Sequence, residues 1–230
     1  MNHDKRKYAS WIAAAVLFTL LIVAGVILLA TGNGGTSSQE ASSPAAHAQG
    51  CPASTASGTI PIAPPSDLAW KYAGAVVAPT SATAGPARYD GPVWECYAHT
   101  PMGAVMASYD IVATLASPGW HTVATQEIAP GPGQRSFISA SEGQTYQPLQ
   151  PDEVAQPVGF QVVTYSPQQA TIETLAADGA NGEYQADERT VEWVDGDWKL
   201  VMNSAGEIGP DPQILTSAQG FVLWGGGSDG

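Results

Sequence analysis

The stretch TPMGAVMASYDIVATLASPG, residues 100–119, is the part of the sequence that decides the fold. Thr100 and Pro101 form a typical helix start, in which a capping hydroxyl is followed by proline at the first helical position. Apolar residues then recur at helical spacing and form one stripe, namely Met102, Val105, Met106, Tyr109, Val112, Ala113 and Ala116. The Ser-Pro-Gly sequence at 117–119 ends the helix. We predict a long helix that packs through this stripe, with Asp110 off the stripe and facing solvent.

The segments on either side of this helix predict smaller elements. Residues 60–92 are interrupted by proline and indicate an extended lead-in that packs Trp70 onto the domain. Residues 93–98 predict a short strand or bend that carries Cys96. After the helix, glycine and proline break residues 120–151, which leaves room for short helices near 121–128 and 135–141.

From residue 158 onward the pattern changes to strands, at 158–166, 169–177, 190–194 and 197–203. The dipeptide Asp-Gly at 195–196 is a strong hairpin signal. Centring the turn there pairs Trp193 with Trp198 and Val191 with Leu200 on one buried face, the predicted hairpin core. It also pairs Glu192 with Lys199 on the other face, as opposite charges across the strands.

A helix followed by an antiparallel sheet predicts an α+β domain, with the long helix packed on a curved sheet. Residues 221–224 read as a last apolar piece that docks onto the core, and residues 226–230 as a disordered tail. We place the folded domain at residues 66–225.

The N-terminal part of the chain predicts a membrane anchor. Residues 11–30 are apolar apart from Thr19 and carry no charge, and Lys5, Arg6 and Lys7 precede them. A helix of that length spans the hydrocarbon layer, and a basic flank stays on the cytoplasmic side. The competing interpretation is a cleaved signal peptide with its cleavage site at Ala46-His47-Ala48, but that site lies far beyond the apolar run. We expect residues 1–10 in the cytoplasm and the rest outside it, in a single-pass cell-membrane protein.

Composition separates a stalk from the domain and limits its partners. Residues 31–65 are rich in small and polar residues and predict a disordered stalk. Of the 8 Lys and Arg, three precede the span, and 20 of the 21 acidic residues follow it, so the exterior part carries 5 − 20 = −15. Such a field repels nucleic acid and anionic lipid headgroups. It also adds solubility, and the alternative interpretation is that it attracts a basic partner.

Cys51 and Cys96 are the two cysteines of the chain, and both follow the predicted span. In an oxidising compartment an even pair most simply forms a disulfide. A metal site or a reactive thiol are the alternatives, although no CxxC spacing or nearby histidine pair favours a metal.

The sequence contains none of the motifs HExxH, GxSxG, GxGxxG or GxxxxGK[ST]. We therefore expect no enzyme, no cofactor and no metal. His99 reads as a capping or packing residue, and the acidic pairs at 152–153 and 187–188 as solvated loop residues. Tyr97, Tyr109 and Asp110 are the candidates for a pocket that would support proton transfer, with Tyr109 and Asp110 expected to diverge.

Three segments carry a resemblance to known proteins: VEWVDGDWKL at 191–200, CYAHTPMGA at 96–104 and GFVLWG at 220–225. The first resembles the final hairpin of envelope-anchored NTF2-like domains. The other two resemble actinobacterial membrane-anchored extracytoplasmic proteins of unknown function, some of which belong to conjugative elements. The resemblance covers about residues 94–225. It extends, less closely, to scaffold subunits of type IV secretion channels and to Mce-associated membrane proteins.

The resemblance implies a cone-shaped NTF2-like domain and no catalytic residue. It also implies a scaffold or protein-binding role in an envelope complex, which in some relatives is a conjugative-transfer complex. A homo-oligomer is a further possible partner state. The alternatives are a lipid- or small-ligand-binding module of the Mce-associated type and an isomerase-like enzyme.

Overall fold

The computed structural model describes residues 51, 55–56, 58–144, 147, 154–178 and 182–225. Their helices are α1 (Pro101–Leu115), α2 (Trp120–Glu127) and α3 (Pro132–Ser141). Their strands are β1 (Leu68–Ala73), β2 (Val76–Ser81), β3 (Arg88–Asp90), β4 (Val93–Glu95), β5 (Gln156–Tyr165), β6 (Gln169–Asp178), β7 (Glu183–Val194), β8 (Asp197–Leu200), β9 (Gln213–Leu215) and β10 (Val222–Leu223). The chain is therefore a mixed α+β protein, as the sequence predicts.

The strands form one large antiparallel sheet and two small hairpins. The large sheet has the order β10-β5-β6-β7-β8, and β9 also pairs with β7. β1 pairs with β2, and β3 pairs with β4. None of the helices in these described ranges is long and apolar enough to cross a membrane. The predicted span at 11–30, most of the predicted stalk and the predicted tail lie outside the described residues.

Helix α1 begins and ends as predicted. The Thr100 hydroxyl accepts a hydrogen bond from the Gly103 N–H at 3.1 Å, and Pro101 occupies the first turn. The last helical residue is Leu115, and the C-cap Ala116 follows it directly before the predicted Ser-Pro-Gly stop. The helix ends are thus set by local sequence, since capping residues satisfy backbone groups that the helix itself leaves open.

The surroundings of α1 differ from the prediction. One side of α1 packs on β5–β8, and β1, β2 and β4 cover the rest. The predicted extended lead-in is therefore in fact two hairpins. Asp110 consequently has 0% of its surface exposed, and the prediction that it faces solvent is wrong.

The β7–β8 hairpin has the predicted register. Val191 pairs with Leu200, Glu192 with Lys199 and Trp193 with Trp198. Val191, Trp198 and Leu200 are fully buried, while Trp193 is half-buried. Both Asp195 and Gly196 have positive φ, as the favoured two-residue turn requires.

The prediction that Glu192 and Lys199 form a charge pair across this hairpin is wrong. Lys199 lies opposite Glu192 in the register, but its ammonium binds Glu127 of α2 at 3.0 Å. Glu192 instead accepts a hydrogen bond from Gln169 at 2.9 Å. Because α2 covers this side of β8, the lysine is buried and finds its carboxylate there.

The close approach of α1 to the preceding loop gives a testable prediction for Gly103. A Cβ added there would lie 1.9 Å from the Ala98 carbonyl oxygen. Although alanine favours a helix over glycine by about 1 kcal/mol, we expect Gly103→Ala to lower the free energy of unfolding by about 2 kcal/mol or more. Gly143→Ala, where no atom lies within 4 Å of the new Cβ, is the control in urea unfolding. A stabilised Gly103→Ala would contradict this packing.

Candidate functional site

The polar groups that the fold encloses form the most distinctive chemistry of the molecule. Four carboxyl side chains are buried around α1, α2, β4 and β8, namely Glu95, Asp110, Glu127 and Asp197. Buried carboxyl groups are uncommon and need partners or protons. Each of the four meets this need differently.

Asp197 joins the β7–β8 turn to the backbone ahead of α1. Its carboxylate accepts hydrogen bonds from the backbone N–H of Cys96 at 2.6 Å, Tyr97 at 2.9 Å and Trp198 at 2.9 Å. Burial raises its pKa, while Lys199 and the three N–H groups oppose that shift. The residue thus fixes the sheet to the segment that carries the disulfide.

Glu127 and Lys199 form a buried ion pair at 3.0 Å, with side chains 1% and 5% exposed. Burial raises the pKa of Glu127 to about 7, because desolvation outweighs the attraction of Lys199, and the charge of Asp197 adds to the rise. Glu127 Oε2 has no hydrogen-bond partner among the described residues. Glu95 is paired separately, with Arg88 at 2.6 Å.

A small cleft borders this ion pair. Its volume is about 190 Å³, and it is lined by Thr125, Gln126, Ile128, Pro130, Gln134, Ile138, Val194, Asp195 and Lys199. Pockets for drug-sized ligands usually enclose about 300–1,000 Å³. The cleft is therefore below that range, and none of the three predicted pocket residues lines it.

The structure brings two of the predicted pocket residues together. The Tyr97 hydroxyl and the Asp110 carboxyl lie close to each other in the interior, although neither forms a hydrogen bond of ordinary geometry with a described residue. Burial raises the pKa of Asp110 well above its usual range, and the nearby Tyr97 hydroxyl offsets this only in part. Burial, reinforced by Asp110, also raises the pKa of Tyr97. Burial thus favours the neutral form of both groups.

Tyr109 points to a different part of the core. Its hydroxyl donates to the Gly159 carbonyl and accepts from the Leu175 N–H at 3.2 Å. Its ring packs edge-on against Trp224 with centroids 5.5 Å apart. Tyr109 and Asp110 thus diverge as expected, but both remain inside the protein.

His99 occupies a packing position at the hairpin. Its ring stacks on Trp193 with centroids 3.7 Å apart, and a ring nitrogen is hydrogen-bonded with the Pro167 carbonyl. Trp198 donates its indole N–H to the Ala98 carbonyl at 3.0 Å. These contacts hold the hairpin core against the start of α1.

Cys51 and Cys96 form the predicted disulfide, with Cα atoms 5.2 Å apart. The described part of the chain contains no group of three His, Cys, Asp or Glu side chains placed to hold a metal ion. Of the two acidic pairs, residues 152–153 lie outside the described ranges. Asp187 accepts from Gln185 and lies 3.9 Å from Arg189.

Sequence reasoning missed an exposed set of aromatic residues. Trp70, Tyr72 and Tyr89 are 44%, 75% and 40% exposed, and the Lys71 ammonium lies 3.5 Å from the centre of the Tyr89 ring. We call Trp70, Lys71, Tyr72 and Tyr89 the aromatic face. Trp70 does pack onto the domain as predicted, edge-on against Trp224 with ring centres 6.0 Å apart, but it stays partly exposed. The sequence signal for the exposed set is the run Trp-Lys-Tyr at 70–72.

The fold and these sites define an α+β domain with a packed interior, a disulfide at the start of its long helix and buried carboxyl groups. The family described as "Domain of unknown function (DUF8175)" matches residues 32–223, and the chain belongs to this family. No curated protein matches the chain, and neither does a solved structure.

The raised pKa of Glu127 predicts how stability varies with pH. Between pH 4.5 and about 7 the unfolded chain releases this proton while the folded protein keeps it, so the free energy of unfolding falls as pH rises. We expect a decrease on the order of 2 kcal/mol between pH 5 and pH 8. Glu127→Gln should flatten that decrease in urea unfolding, whereas the exposed Glu142→Gln should leave it unchanged. An equal slope in Glu127→Gln and the wild type would refute the assignment.

Replacing the carboxyl group by an amide should change the free energy of unfolding differently at Asp110 and at Asp197. Burial favours the neutral form of Asp110 and Asp110→Asn is a neutral isostere, so we expect a loss of less than about 1 kcal/mol at pH 7. Asp197→Asn turns an N–H donor toward a backbone N–H and should lose about 1–3 kcal/mol. Urea denaturation of both variants measures this, and equal losses would contradict the account.

Proposed function

We propose that this protein is a non-enzymatic, single-pass membrane protein whose extracytoplasmic domain serves as a scaffold or protein-binding module in an envelope complex. In this proposal residues 11–30 span the membrane and residues 31–65 form the stalk. The setting of a conjugative or secretion apparatus rests on the resemblance alone. The domain itself would be an NTF2-like cone.

The packed interior is the observation that carries the proposal. The space that a cone would enclose between α1 and the sheet is filled by large side chains, among them Met106, Phe160 and Trp198. Trp224 closes one end by packing against Phe160 at 4.6 Å between ring centres. A domain filled in this way acts through its outer surface, which favours binding of other macromolecules over binding of a small ligand.

Two further features support the same proposal. β5 contains two register shifts, between Pro157 and Gly159 and between Val162 and Thr164, and such bulges bend a sheet around a helix. The disulfide suits a domain outside the cytoplasm. Both agree with a rigid exported domain on a membrane anchor.

The isomerase-like alternative has one observation in its favour, the neutral Tyr97–Asp110 pair. Carboxylic acids kept neutral by apolar surroundings donate hydrogen bonds in some isomerases. In this protein, however, α1 and its neighbours pack around the pair, and Asp110 is fully buried. We therefore assign the pair a structural role.

Crosslinking in intact membranes tests the proposal. The full chain, tagged at its C-terminus, should capture a small, reproducible set of envelope proteins after mild crosslinking. A chain with residues 1–65 joined to an unrelated folded domain is the control, and should not capture them. Tyr109→Phe should capture the same set, because the Tyr109 hydroxyl bonds to backbone groups inside the domain and not at its outer surface. Capture that is identical with the control chain would refute the proposal.

A further inference from the structure

We propose that the aromatic face rests on the headgroup layer of the membrane that anchors the chain. The proposal rests on the proposed function in one respect, since it requires residues 11–30 to be a membrane anchor. It goes further by naming the surface of the domain that meets the lipid.

The chemistry of the aromatic face suits the interface between lipid and water. Trp and Tyr combine an apolar ring with a polar group and concentrate at membrane interfaces, and lysine extends its ammonium toward headgroups. On β1 the residues Trp70, Lys71 and Tyr72 are consecutive and exposed. The alternation of a strand places Trp70 and Tyr72 on one side of β1, where Trp70 also contacts Trp224. It places Lys71 on the other side, over Tyr89. The four side chains therefore meet along the edge of β1 that is not paired with β2, and this edge is the line of contact.

The disulfide places the attachment point of the stalk beside this face. Tyr89 packs against Trp94 with ring centres 5.2 Å apart, and Trp94 lies two residues before Cys96. Lys71 in turn stacks on Tyr89. Because Cys51 is bonded to Cys96, the chain arriving from the membrane joins the domain next to the aromatic face.

The disulfide also shortens the connection to the membrane. Only residues 31–50 separate the predicted span from Cys51, and a flexible chain of that length has a reach of roughly 25 Å. A domain of this size has a radius of gyration of about 15 Å. The side that carries the attachment point therefore stays within contact distance of the lipid.

The distribution of charge favours the same orientation. Glu173 and Glu188 lie directly opposite each other across β6 and β7, on the face of the sheet turned away from α1. β1 lies beyond the other side of α1. Anionic headgroups repel this pair of glutamates, whereas Lys71, which is exposed on the other side of α1, is a cation that attracts them.

Quenching by lipids brominated close to the headgroup tests this orientation. The full chain is reconstituted in phosphatidylcholine–phosphatidylglycerol vesicles as Tyr72→Trp and, separately, as Ile214→Trp. Ile214 is 59% exposed on β9 and serves as the matched control, and both sites tolerate an exposed ring. The chain has seven tryptophans of its own, so the wild-type signal is subtracted from that of each variant. We expect the fluorescence added by Tyr72→Trp to be quenched at least twofold more than the fluorescence added by Ile214→Trp.

A second variant isolates the role of the lysine. Lys71→Glu in the Tyr72→Trp background should reduce this extra quenching by at least half, with an unchanged circular dichroism spectrum. Equal quenching at positions 72 and 214 would overturn the membrane contact. Amide hydrogen exchange that is slowed along β1 because a strand of another protein pairs with it would overturn the contact as well. Failure of the full chain to float with vesicles would overturn the anchor itself, and both proposals with it.

Discussion

The enclosure of α1 is the constraint on which the rest of the structure depends. The sheet packs on one side and the β1–β2 hairpin on the other, so polar groups along the helix have almost no access to water. Each of these polar groups therefore needs a hydrogen-bond partner within the protein. Arg189 donates to the Ser108 carbonyl at 2.9 Å, and the Tyr109 hydroxyl bridges β5 and β6. Asp110 finds no such partner among the described residues, and burial favours its protonated form.

The same constraint explains which parts of the fold the sequence could predict. The ends of α1 and the register of the β7–β8 hairpin depend on neighbouring residues, namely the Thr100 cap and the Asp-Gly turn, and both predictions are confirmed. The covering of α1 by β1 and β2 depends on contacts between distant segments. The helical spacing of apolar residues indicates which side of α1 packs on the core. It does not indicate what covers the polar residues, and for this reason the sequence predicts that Asp110 faces solvent.

The candidate site shows the same limit. Lys199 was paired with Glu192 because the two are opposite in the hairpin, whereas its partner Glu127 lies 72 residues away in α2. The disulfide could be predicted because two cysteines in an oxidising compartment leave few alternatives. The exposure of Trp70 and Tyr72 could not, because large aromatic residues are more often buried than exposed. Interactions that depend on contacts between distant segments could therefore not be predicted from the sequence.

A packed interior, a disulfide and an exposed aromatic face support the proposal that the domain works through its surfaces, and this proposal depends on α1 being enclosed on all sides. Titration of the Asp110 carboxyl carbon by NMR tests that enclosure most directly. The account predicts that the Asp110 carboxyl titrates well above the ordinary aspartate range, because burial raises its pKa. Ionisation near the ordinary aspartate pKa of about 3.9 would mean that water reaches this side of α1, and the packed interior would be contradicted.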